Sequence, residues 1–432
     1  MVTRLESTAP DFEARFRALL ETKREVSEDV DAVVRDIVAD VRKRGDAALI
    51  ELTARFDKVD LAGQSLRFSA DEIAAATEAA DAETLEALTF ARDRIRTHHE
   101  RQRPEDERYT DAEGVELGHR WTAVESVGLY VPGGTANYPS SVLMNAVPAK
   151  VAGVERIAMV VPTPGGEINP LVLAAAALAG VDEIYRVGGA QAVAALAYGT
   201  ESVAPVAKIV GPGNAYVAAA KRHVFGTVGI DMVAGPSEVL VLADGENDPD
   251  WIAADLLAQA EHDTSAQSIL ITDDPAFADA VAVAVDRQLA TLTRGDIAGE
   301  SWRDFGALIL VPSLDDAPPL VDRIAPEHLE IAAADADGLA GRIRNAGAIF
   351  LGRHTPEVIG DYVAGSNHVL PTARSARYAS GLGVLDFMKR SSILRLGPDS
   401  LATLAPAAVA LAKAEGLEAH GRSLEIRLNR RS

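Results

Sequence analysis

The chain contains no cysteine. A disulfide framework is therefore excluded, and any metal site must be built from nitrogen and oxygen ligands. No thiol is available as a nucleophile, so an aldehyde could not be oxidised here through a thiohemiacetal. The absence removes cysteine chemistry from the functions that this sequence can have.

Excess positive charge and long apolar runs are also missing. Lys and Arg number 42 and Asp and Glu number 64, which gives a formal net charge of −22. Such an excess of negative charge argues against a nucleic-acid partner and against anionic membranes. The longest apolar runs, such as the one from Leu171, are too short to span a bilayer, and the polar N-terminal segment lacks the apolar core of a signal peptide. These features predict a cytoplasmic protein.

The pattern that is present is typical of an α/β enzyme. At roughly 150 residues per domain, a chain of 432 residues suffices for two or more domains. Residues 10–105 show helical spacing of apolar residues, and Gly45 is expected to end one helix before the next begins. From Val127, short β-branched runs alternate with Ala-rich stretches, which predicts strands near 127, 157, 184 and 207.

A second alternating series starts at Glu238, after a Gly- and Pro-marked junction at 234–236, and continues through SILITDD, GALILVPSL and GAIFLG. Strands that alternate with helices indicate βαβ units and parallel sheets. From about Leu382 the alternation is lost and helices are expected. The sequence therefore predicts two α/β lobes with helical ends.

Four turns after or between predicted strands are built from small residues: Pro132-Gly133-Gly134, Gly188-Gly189, Gly211-Pro212-Gly213 and Gly235-Pro236-Ser237. Ligands of open parallel sheets bind beyond the carboxyl ends of strands. One such turn is more often a plain connection, but four in series favour a ligand crevice. No G-x-G-x-x-G fingerprint is present, because Tyr216 stands where the third Gly would be. A dinucleotide could bind, but not through the usual pyrophosphate turn.

A few side chains are candidate metal ligands. Gln259 and His262 are three residues apart in a predicted helix, so both could hold one ion from the same face. His is a common zinc ligand and Gln an uncommon one, and a lone His near a helix end is more often a cap or surface residue. Asp361 and His420, which Glu415 precedes by five residues, would complete a set of nitrogen and oxygen ligands. Spacing alone does not bring them together.

Glu327 and His328 place a carboxylate beside an imidazole, directly after Pro326. Such a pair could perform general acid–base catalysis, because the pKa of each group can be tuned toward neutral pH. The alternative is a helix N-terminus, where Pro is favoured and the helix dipole stabilises Glu. His368 lies in a polar loop and is not expected to be a ligand. Without HExxH or GxSxG motifs, zinc peptidases and α/β-hydrolases have little support.

Taken together, these motifs resemble those of the histidinol dehydrogenase family. The resemblance covers residues 26–428 and is carried by VGLYVPGGTANYPSSVLMNAVPAKVAGV, VGGAQAVAALAYGT, KIVGPGNAYVAAAKR, IDMVAGPSEVLVLAD, DLLAQAEHD, APEHLEI, GDYVAGSNHVLPT and AEGLEAHGRSLEIRL. It implies a fold similar to that of aldehyde dehydrogenases, with two incomplete Rossmann-like lobes and small helical end domains. The expected segments are a helical arm over 1–25, a first lobe over 26–129 and 238–381, a second, NAD-side lobe over 130–237, and a tail over 382–432 that swaps across a homodimer.

The resemblance also implies roles for individual residues. The implied zinc ligands are Gln259, His262, Asp361 and His420, the last supplied by the partner subunit. The implied catalytic pair is Glu327 and His328. The implied NAD contacts are Tyr130, Gln191 and Asn214. The implied substrate contacts are Ser237, His328, Glu415 and the four zinc ligands.

The activity that the resemblance implies is the zinc- and NAD-dependent oxidation of L-histidinol to L-histidine through a bound aldehyde, the last step of histidine biosynthesis. Relatives of this family oxidise other small alcohols. Ser237 and Glu415 favour a cationic amino alcohol, yet a sibling substrate stays open. A non-catalytic two-lobed binding protein and a zinc hydrolase are the alternatives from other classes.

Overall fold

The computed structural model describes residues 2–22, 28–133, 138–233 and 235–428. The chain divides into two compact units, one of Met1–Gln102 with Glu125–Phe387 and the other of Arg103–Val124 with Met388–Ser432. The first unit contains two parallel sheets, and the second contains one antiparallel sheet and two helices. None of the described helices has a stretch both long and apolar enough to cross a bilayer.

The described strands are β1 (Thr3–Glu6), β2 (Glu107–Thr110), β3 (Glu116–Ala123), β4 (Ser126–Tyr130), β5 (Arg156–Val160), β6 (Glu183–Tyr185), β7 (Lys208–Val210), β8 (Gly229–Ile230), β9 (Glu238–Ala243), β10 (Gln267–Thr272), β11 (Ala307–Leu310), β12 (His328–Ala332), β13 (Ala348–Leu351) and β14 (Met388–Arg395). The strands predicted near 127, 157, 184 and 207 are confirmed as β4 to β7.

The described helices are α1 (Phe12–Glu21), α2 (Glu28–Arg44), α3 (Asp46–Phe56), α4 (Ala70–Ala79), α5 (Ala82–Glu100), α6 (Pro139–Ala152), α7 (Pro170–Ala179), α8 (Gly189–Tyr198), α9 (Ala215–Val224), α10 (Pro249–Ala260), α11 (Pro275–Leu289), α12 (Gly295–Phe305), α13 (Pro318–Ile324), α14 (Ala336–Ala340), α15 (Glu357–Tyr362), α16 (Pro398–Ala414) and α17 (Glu418–Arg427). Gly45 separates α2 from α3, as predicted.

The larger sheet has the strand order β1-β11-β10-β9-β12-β13, and every pair in it is parallel. Parallel sheets are covered by helices on both faces, so their strands are apolar on both sides. In β9, Leu242 belongs to a core that includes Phe16 of α1, and Val241 belongs to a core that includes Trp302 of α12. The two-residue period of a strand accounts for this alternation.

The smaller parallel sheet has the order β6-β5-β4-β7-β8. Its core contains Val34 of α2 and Leu49 of α3, together with residues of α8 and α9. The structure therefore differs from the expected assignment of 26–129 to the other lobe. The cause is that the apolar faces of α2 and α3 pack on the smaller sheet, although these two helices precede the strands of that sheet in the chain.

The predicted helical arm over 1–25 is wrong in part, because Thr3–Glu6 form an edge strand of the larger sheet, parallel to β11. The predicted boundary at 25 and 26 lies outside the described residues, as does Ala234 of the predicted junction. A segment of four residues is too short for periodicity to show that it is a strand. Its pairing with β11, which is distant in the chain, decides its conformation.

The second unit is built on the antiparallel order β14-β3-β2, with Met388 opposite Ala123 and Arg395 opposite Glu116. The sequence predicted no strand in the tail, and β14 is the correction. Most side chains of β14 are exposed, so the strand depends on its backbone ladder to β3 and not on an apolar face that a sequence would reveal. Beyond it, α16 and α17 confirm the helices expected in the tail.

Candidate active site

A cavity of about 600 Å³ lies in the first unit, where ends of strands from both parallel sheets contribute residues to its wall. Six of the residues predicted from the sequence line it: Asn214, Ser237, His262, Glu327, His328 and Asp361. These positions are spread over almost 150 residues of chain, so the fold gathers them. The cavity is the candidate active site.

Turns of small residues form part of this wall, as the crevice prediction required. Pro132, the segment 211–215 and the segment 235–237 all line the cavity. Gly134 lies outside the described residues. Gly188 and Gly189 are not among the described lining residues, but the backbone N–H of Gly189 donates a hydrogen bond of 3.0 Å to the hydroxyl of Tyr130.

Glu327 and His328 are held by a single residue of the neighbouring strand. The Glu327 carboxylate accepts a hydrogen bond of 2.9 Å from the backbone N–H of Glu238. His328 Nδ1 lies 3.0 Å from the backbone oxygen of Glu238. A carbonyl oxygen can only accept, so Nδ1 carries the hydrogen, and in the neutral ring Nε2 retains a free lone pair.

The helix N-terminus that was the alternative for this pair is not what the structure shows. Helix α13 ends at Ile324, Ala325 takes a left-handed conformation with φ 48°, and Pro326 follows. A left-handed cap followed by proline ends a helix. His328 is then the first residue of β12, with the Cα atom of Val239 in β9 opposite its own.

Three carboxylates face the His328 ring. Its Nδ1 lies 3.5 Å from Glu357 Oε2 and 3.8 Å from Glu327 Oε2. Its Nε2 lies 3.7 Å from Asp361 Oδ1, which is too long for a hydrogen bond. Nε2 has no hydrogen-bond partner among the described residues. The reactive nitrogen is therefore available inside the site while the other nitrogen is fixed.

Burial and mutual charge shift the pKa values of this group strongly. Burial raises the pKa of Glu327 to about 7 and that of Glu357 to about 8. Burial opposes protonation of His328, but the nearby carboxylates outweigh it and raise the pKa of His328 well above its usual value. The pKa values of the two glutamates thus lie near neutral pH, which suits acid–base catalysis.

Gln259 is a buried side chain whose amide has the character of a metal-ligand candidate. It lies in the last turn of α10 and is 0% exposed, yet neither its amide oxygen nor its amide nitrogen has a hydrogen-bond partner among the described residues. Buried polar groups are nearly always satisfied. The amide is therefore arranged for a group that the described polypeptide does not supply.

His262 and Asp361 complete the metal-binding candidates of this unit. The helix ends at Ala260, so His262 lies just beyond the helix in which it was predicted, but the N–H of His262 still donates to the oxygen of Gln259 at 3.2 Å, which continues the turn. Burial lowers the pKa of His262, so its ring stays neutral, the form that binds metals. Burial opposes ionisation of Asp361, but interactions with His328 lower its pKa overall. An imidazole and a carboxylate are usual zinc ligands, and the amide of Gln259 would be an uncommon third.

No group of three or more His, Cys, Asp or Glu side chains within the described ranges is placed to hold a metal ion. Of the predicted metal ligands in the first unit, only His262 and Asp361 belong to these residue types, because Gln259 is an amide. His420 lies in α17 and Glu415 directly follows α16, so both belong to the second unit, and both are exposed. The roles of these two residues stay predictions.

The three predicted NAD contacts stand in different settings. Asn214 lines the cavity and caps α9, with its side-chain oxygen accepting from the N–H groups of Tyr216 and Val217 at 3.1 and 3.2 Å. Tyr130 and Gln191 are 4% and 2% exposed and are not among the described lining residues. Their role in NAD binding also stays a prediction.

Sequence reasoning missed three residues of the site, namely Glu238, Glu357 and His368. Glu357 lies four residues before Asp361 in α15, and this spacing on one helix face was a usable signal. His368, set aside from the sequence, lines the cavity. Its Nδ1 lies 3.0 Å from the backbone oxygen of Asp361, and its Nε2 lies 3.1 Å from Ser141 Oγ. Nothing in its local sequence shows these contacts.

Comparison with known proteins extends this picture. The family model described as histidinol dehydrogenase matches residues 20–428. A histidinol dehydrogenase of Mesorhizobium japonicum is 73% identical over 429 residues, which covers 99% of this chain and 100% of that protein. A histidinol dehydrogenase of Brucella suis is 69% identical with the same coverage.

Solved structures agree with the sequence comparison. The histidinol dehydrogenase of Elizabethkingia anophelis is similar to this chain with a TM-score of 0.94 and 35% identity, over 99% of this chain and 98% of that one. An acetylating aldehyde dehydrogenase from Geobacillus thermoglucosidasius has a TM-score of 0.50 at 12% identity, over 89% and 94% of the two chains, which shows a likeness of fold alone. Over nearly its whole length, the chain belongs to the histidinol dehydrogenase family.

Proposed function

We propose that the chain oxidises L-histidinol to L-histidine through a bound aldehyde, using zinc and two molecules of NAD⁺, as a homodimer. Membership of the family already gives the reaction class: the chain is an oxidoreductase that catalyses the last step of histidine biosynthesis. The observation that carries the proposal is the His328 ring, whose Nδ1 is fixed by Glu238 and whose Nε2 is unpartnered among the described residues of a buried site.

His328 is the proposed base. An alcohol must lose the proton of its hydroxyl as hydride leaves the adjacent carbon. When the ring is neutral, Nε2 can accept that proton, because Nδ1–H is committed to the Glu238 carbonyl. Glu357, whose Oε2 lies 3.5 Å from Nδ1, stabilises the imidazolium that forms when its own carboxyl group is ionised. The same nitrogen can accept a proton again in the second oxidation.

Glu327 is proposed to activate water for the second oxidation. The aldehyde must add water before a second hydride can leave, and this chain has no cysteine that could add instead. One oxygen of Glu327 is fixed by the Glu238 N–H, so the carboxylate has a defined direction. Its pKa of about 7, raised by burial, allows it to take a proton from water near neutral pH.

Gln259, His262 and Asp361, with His420 of a second copy of the chain, would hold zinc. Zinc, when bound there, would orient the imidazole and amine of the substrate and serve only secondarily as a Lewis acid. NAD⁺ would accept the hydride from the side of the turn at 211–214, with Tyr130, Gln191 and Asn214 as its proposed contacts.

Ser237 and Glu415 are proposed to recognise the substrate, together with His328 and the metal-binding residues. Glu415 supplies a carboxylate that suits a cationic amino alcohol, and its exposure in the second unit leaves it accessible to a partner subunit. The homodimer, the exchange of the tail and the cytoplasmic location remain proposals that rest on the sequence.

The first prediction concerns stoichiometry. With histidinol, excess NAD⁺ and zinc, each histidinol consumed should yield two NADH, because both oxidations occur before release. Absorbance of NADH, with histidinol followed by chromatography, measures the ratio, and a chelator should abolish the signal. One NADH per histidinol with free aldehyde in solution would contradict the bound intermediate, and full activity after verified removal of zinc would contradict the metal.

The second prediction concerns the base. His328→Asn should lower the rate with histidinol and with the aldehyde by about 10²–10⁴-fold, the usual contribution of a positioned acid–base group. Zinc content by metal analysis should stay unchanged, because His328 is not a proposed ligand. His354→Asn, at an exposed histidine, is the matched control and should keep full activity. Normal turnover by His328→Asn would remove the proposed base.

The third prediction separates the two steps. Glu327→Gln keeps an oxygen that can accept from the Glu238 N–H but removes the carboxylate that activates water. The rate of aldehyde oxidation should therefore fall much further than the rate of alcohol oxidation, by roughly tenfold or more. Single-turnover kinetics with each substrate measure the two rates. An equal loss of both, in a folded variant, would contradict this division of roles.

The fourth prediction tests the exchange of the tail. His420→Ala and His262→Ala should each lose zinc and activity. When the two chains are co-expressed, a mixed dimer that exchanges tails has one site with both changes and one intact site, so about a quarter of wild-type activity should return.

Co-expression of His262→Ala with Asp361→Ala is the matched control. Both changes lie in the first unit, so every site of the mixed dimer keeps one damaged ligand and no activity should return. An inactive mixture of His420→Ala with His262→Ala, despite proven mixed dimers, would show that His420 does not act in the partner's site.

A further inference from the structure

Gly211, which follows the last residue of β7, has both of its backbone polar groups bound by one ion pair. Lys221 Nζ donates to the Gly211 oxygen at 3.0 Å, and Asp231 Oδ2 accepts from the Gly211 N–H at 2.8 Å. Lys221 and Asp231 also form a salt bridge with each other. We call these two side chains the Gly211 clamp.

The clamp is almost completely buried, since the side chains of Lys221 and Asp231 are 2% and 1% exposed. Burying two charges carries a desolvation cost that their attraction repays only when further hydrogen bonds are made. Here those bonds are made with Gly211 and with the N–H of Met232, which donates to Asp231 Oδ1 at 2.6 Å. A buried pair of this kind is weak evidence for stability and better evidence for a fixed local conformation.

The segment that the clamp holds could not keep its shape with other residues. Gly211 has φ +110°, and a Cβ there would lie 2.2 Å from the backbone oxygen of Tyr130. A Cβ on Gly213 would lie 2.5 Å from Val217 Cγ1 in α9. The turn 211–214 is thus pressed between the end of β4 and the start of α9 while its other side lines the cavity.

We infer that Lys221 and Asp231 are positioning residues for the nicotinamide dinucleotide, acting through Gly211 on the turn 211–214. The inference rests on the proposed function, since it deepens the NAD⁺ site. This chain lacks the third glycine of the usual dinucleotide turn, where Tyr216 stands. The clamp supplies from two side chains the fixed backbone that such a turn needs to approach a pyrophosphate.

The test is the double variant Lys221→Met with Asp231→Asn. It removes both charges together, so no single buried charge is left unpaired, and it keeps an oxygen for the neighbouring N–H groups. The dissociation constant of NAD⁺, measured by calorimetry without any alcohol, should rise by about tenfold. The KM for histidinol and the zinc content should stay within about twofold of the wild-type values. Lys221→Gln with Asp231→Asn, which also removes both charges but keeps a donor at position 221, is the milder variant should the first not fold, and it should show a smaller loss in the same direction.

Arg156→Met is the matched control. Arg156 forms an ion pair with Glu183 at 2.8 Å and donates to the backbone oxygens of Ala204 and Pro205, so it also joins a carboxylate and a loop in the same sheet. Arg156 is the first residue of β5, so it lies at the end of the sheet opposite to the turn 211–214. Thermal stability should fall in this variant while NAD⁺ affinity stays unchanged.

The outcomes are distinguishable. Unchanged NAD⁺ affinity in a folded clamp variant would overturn the inference, as would equal losses of NAD⁺ affinity, histidinol affinity and zinc, which mark a general structural role. If the wild-type chain, loaded with zinc, binds no NAD⁺, the proposed function fails and the inference fails with it.

Discussion

The parallel pairing of β9 with β12 is the constraint on which the site depends. Its register places Val239 opposite His328, so that Glu238, one residue earlier, lies beside the catalytic pair. The N–H of Glu238 fixes Glu327 and its carbonyl fixes the tautomer of His328. A slip by one residue would turn both side chains to the other face of the sheet. Backbone geometry, which no side chain of the pair controls, therefore decides which nitrogen can act as a base.

The two sheets contribute opposite strand ends to the cavity. Pro132 and the turn at 211–214 follow strands of the smaller sheet, where the rule for open parallel sheets expects ligands. Ser237, Glu327 and His328 stand instead where strands of the larger sheet begin. In the function that we propose, the dinucleotide binds against the turns of the smaller sheet, and the larger sheet supplies the acid–base groups. The crevice rule thus accounts for one half of this site.

Local signals explain which parts of the structure could be predicted from the sequence. Apolar runs such as those of β4 and β9 are buried along their whole length, so their composition reveals them. Strands β1 and β14 carry no such signal, because each forms a strand through its pairing with a segment that is distant in the chain. The same holds for His368, whose partners lie in two different helices.

The pair Gln259 and His262 could be found because one helical turn relates them, whereas only the fold brings either of them near Asp361. The ligand roles implied by the family, and that of His420 above all, needed the resemblance.

The lack of cysteine gives the likeness to aldehyde dehydrogenases a specific meaning. That likeness, at 12% identity, concerns the fold alone, and a fold does not determine chemistry. Without a thiol, the acyl carbon must receive its oxygen from water directly, so the group that controls water decides the second oxidation. In the mechanism that we propose, Glu327 does this because burial raises its pKa to about 7, whereas an exposed carboxylate, with its lower pKa, would be a weaker base. Burial, which costs stability for any charged group, is in the proposed mechanism the source of the basicity by which Glu327 activates water.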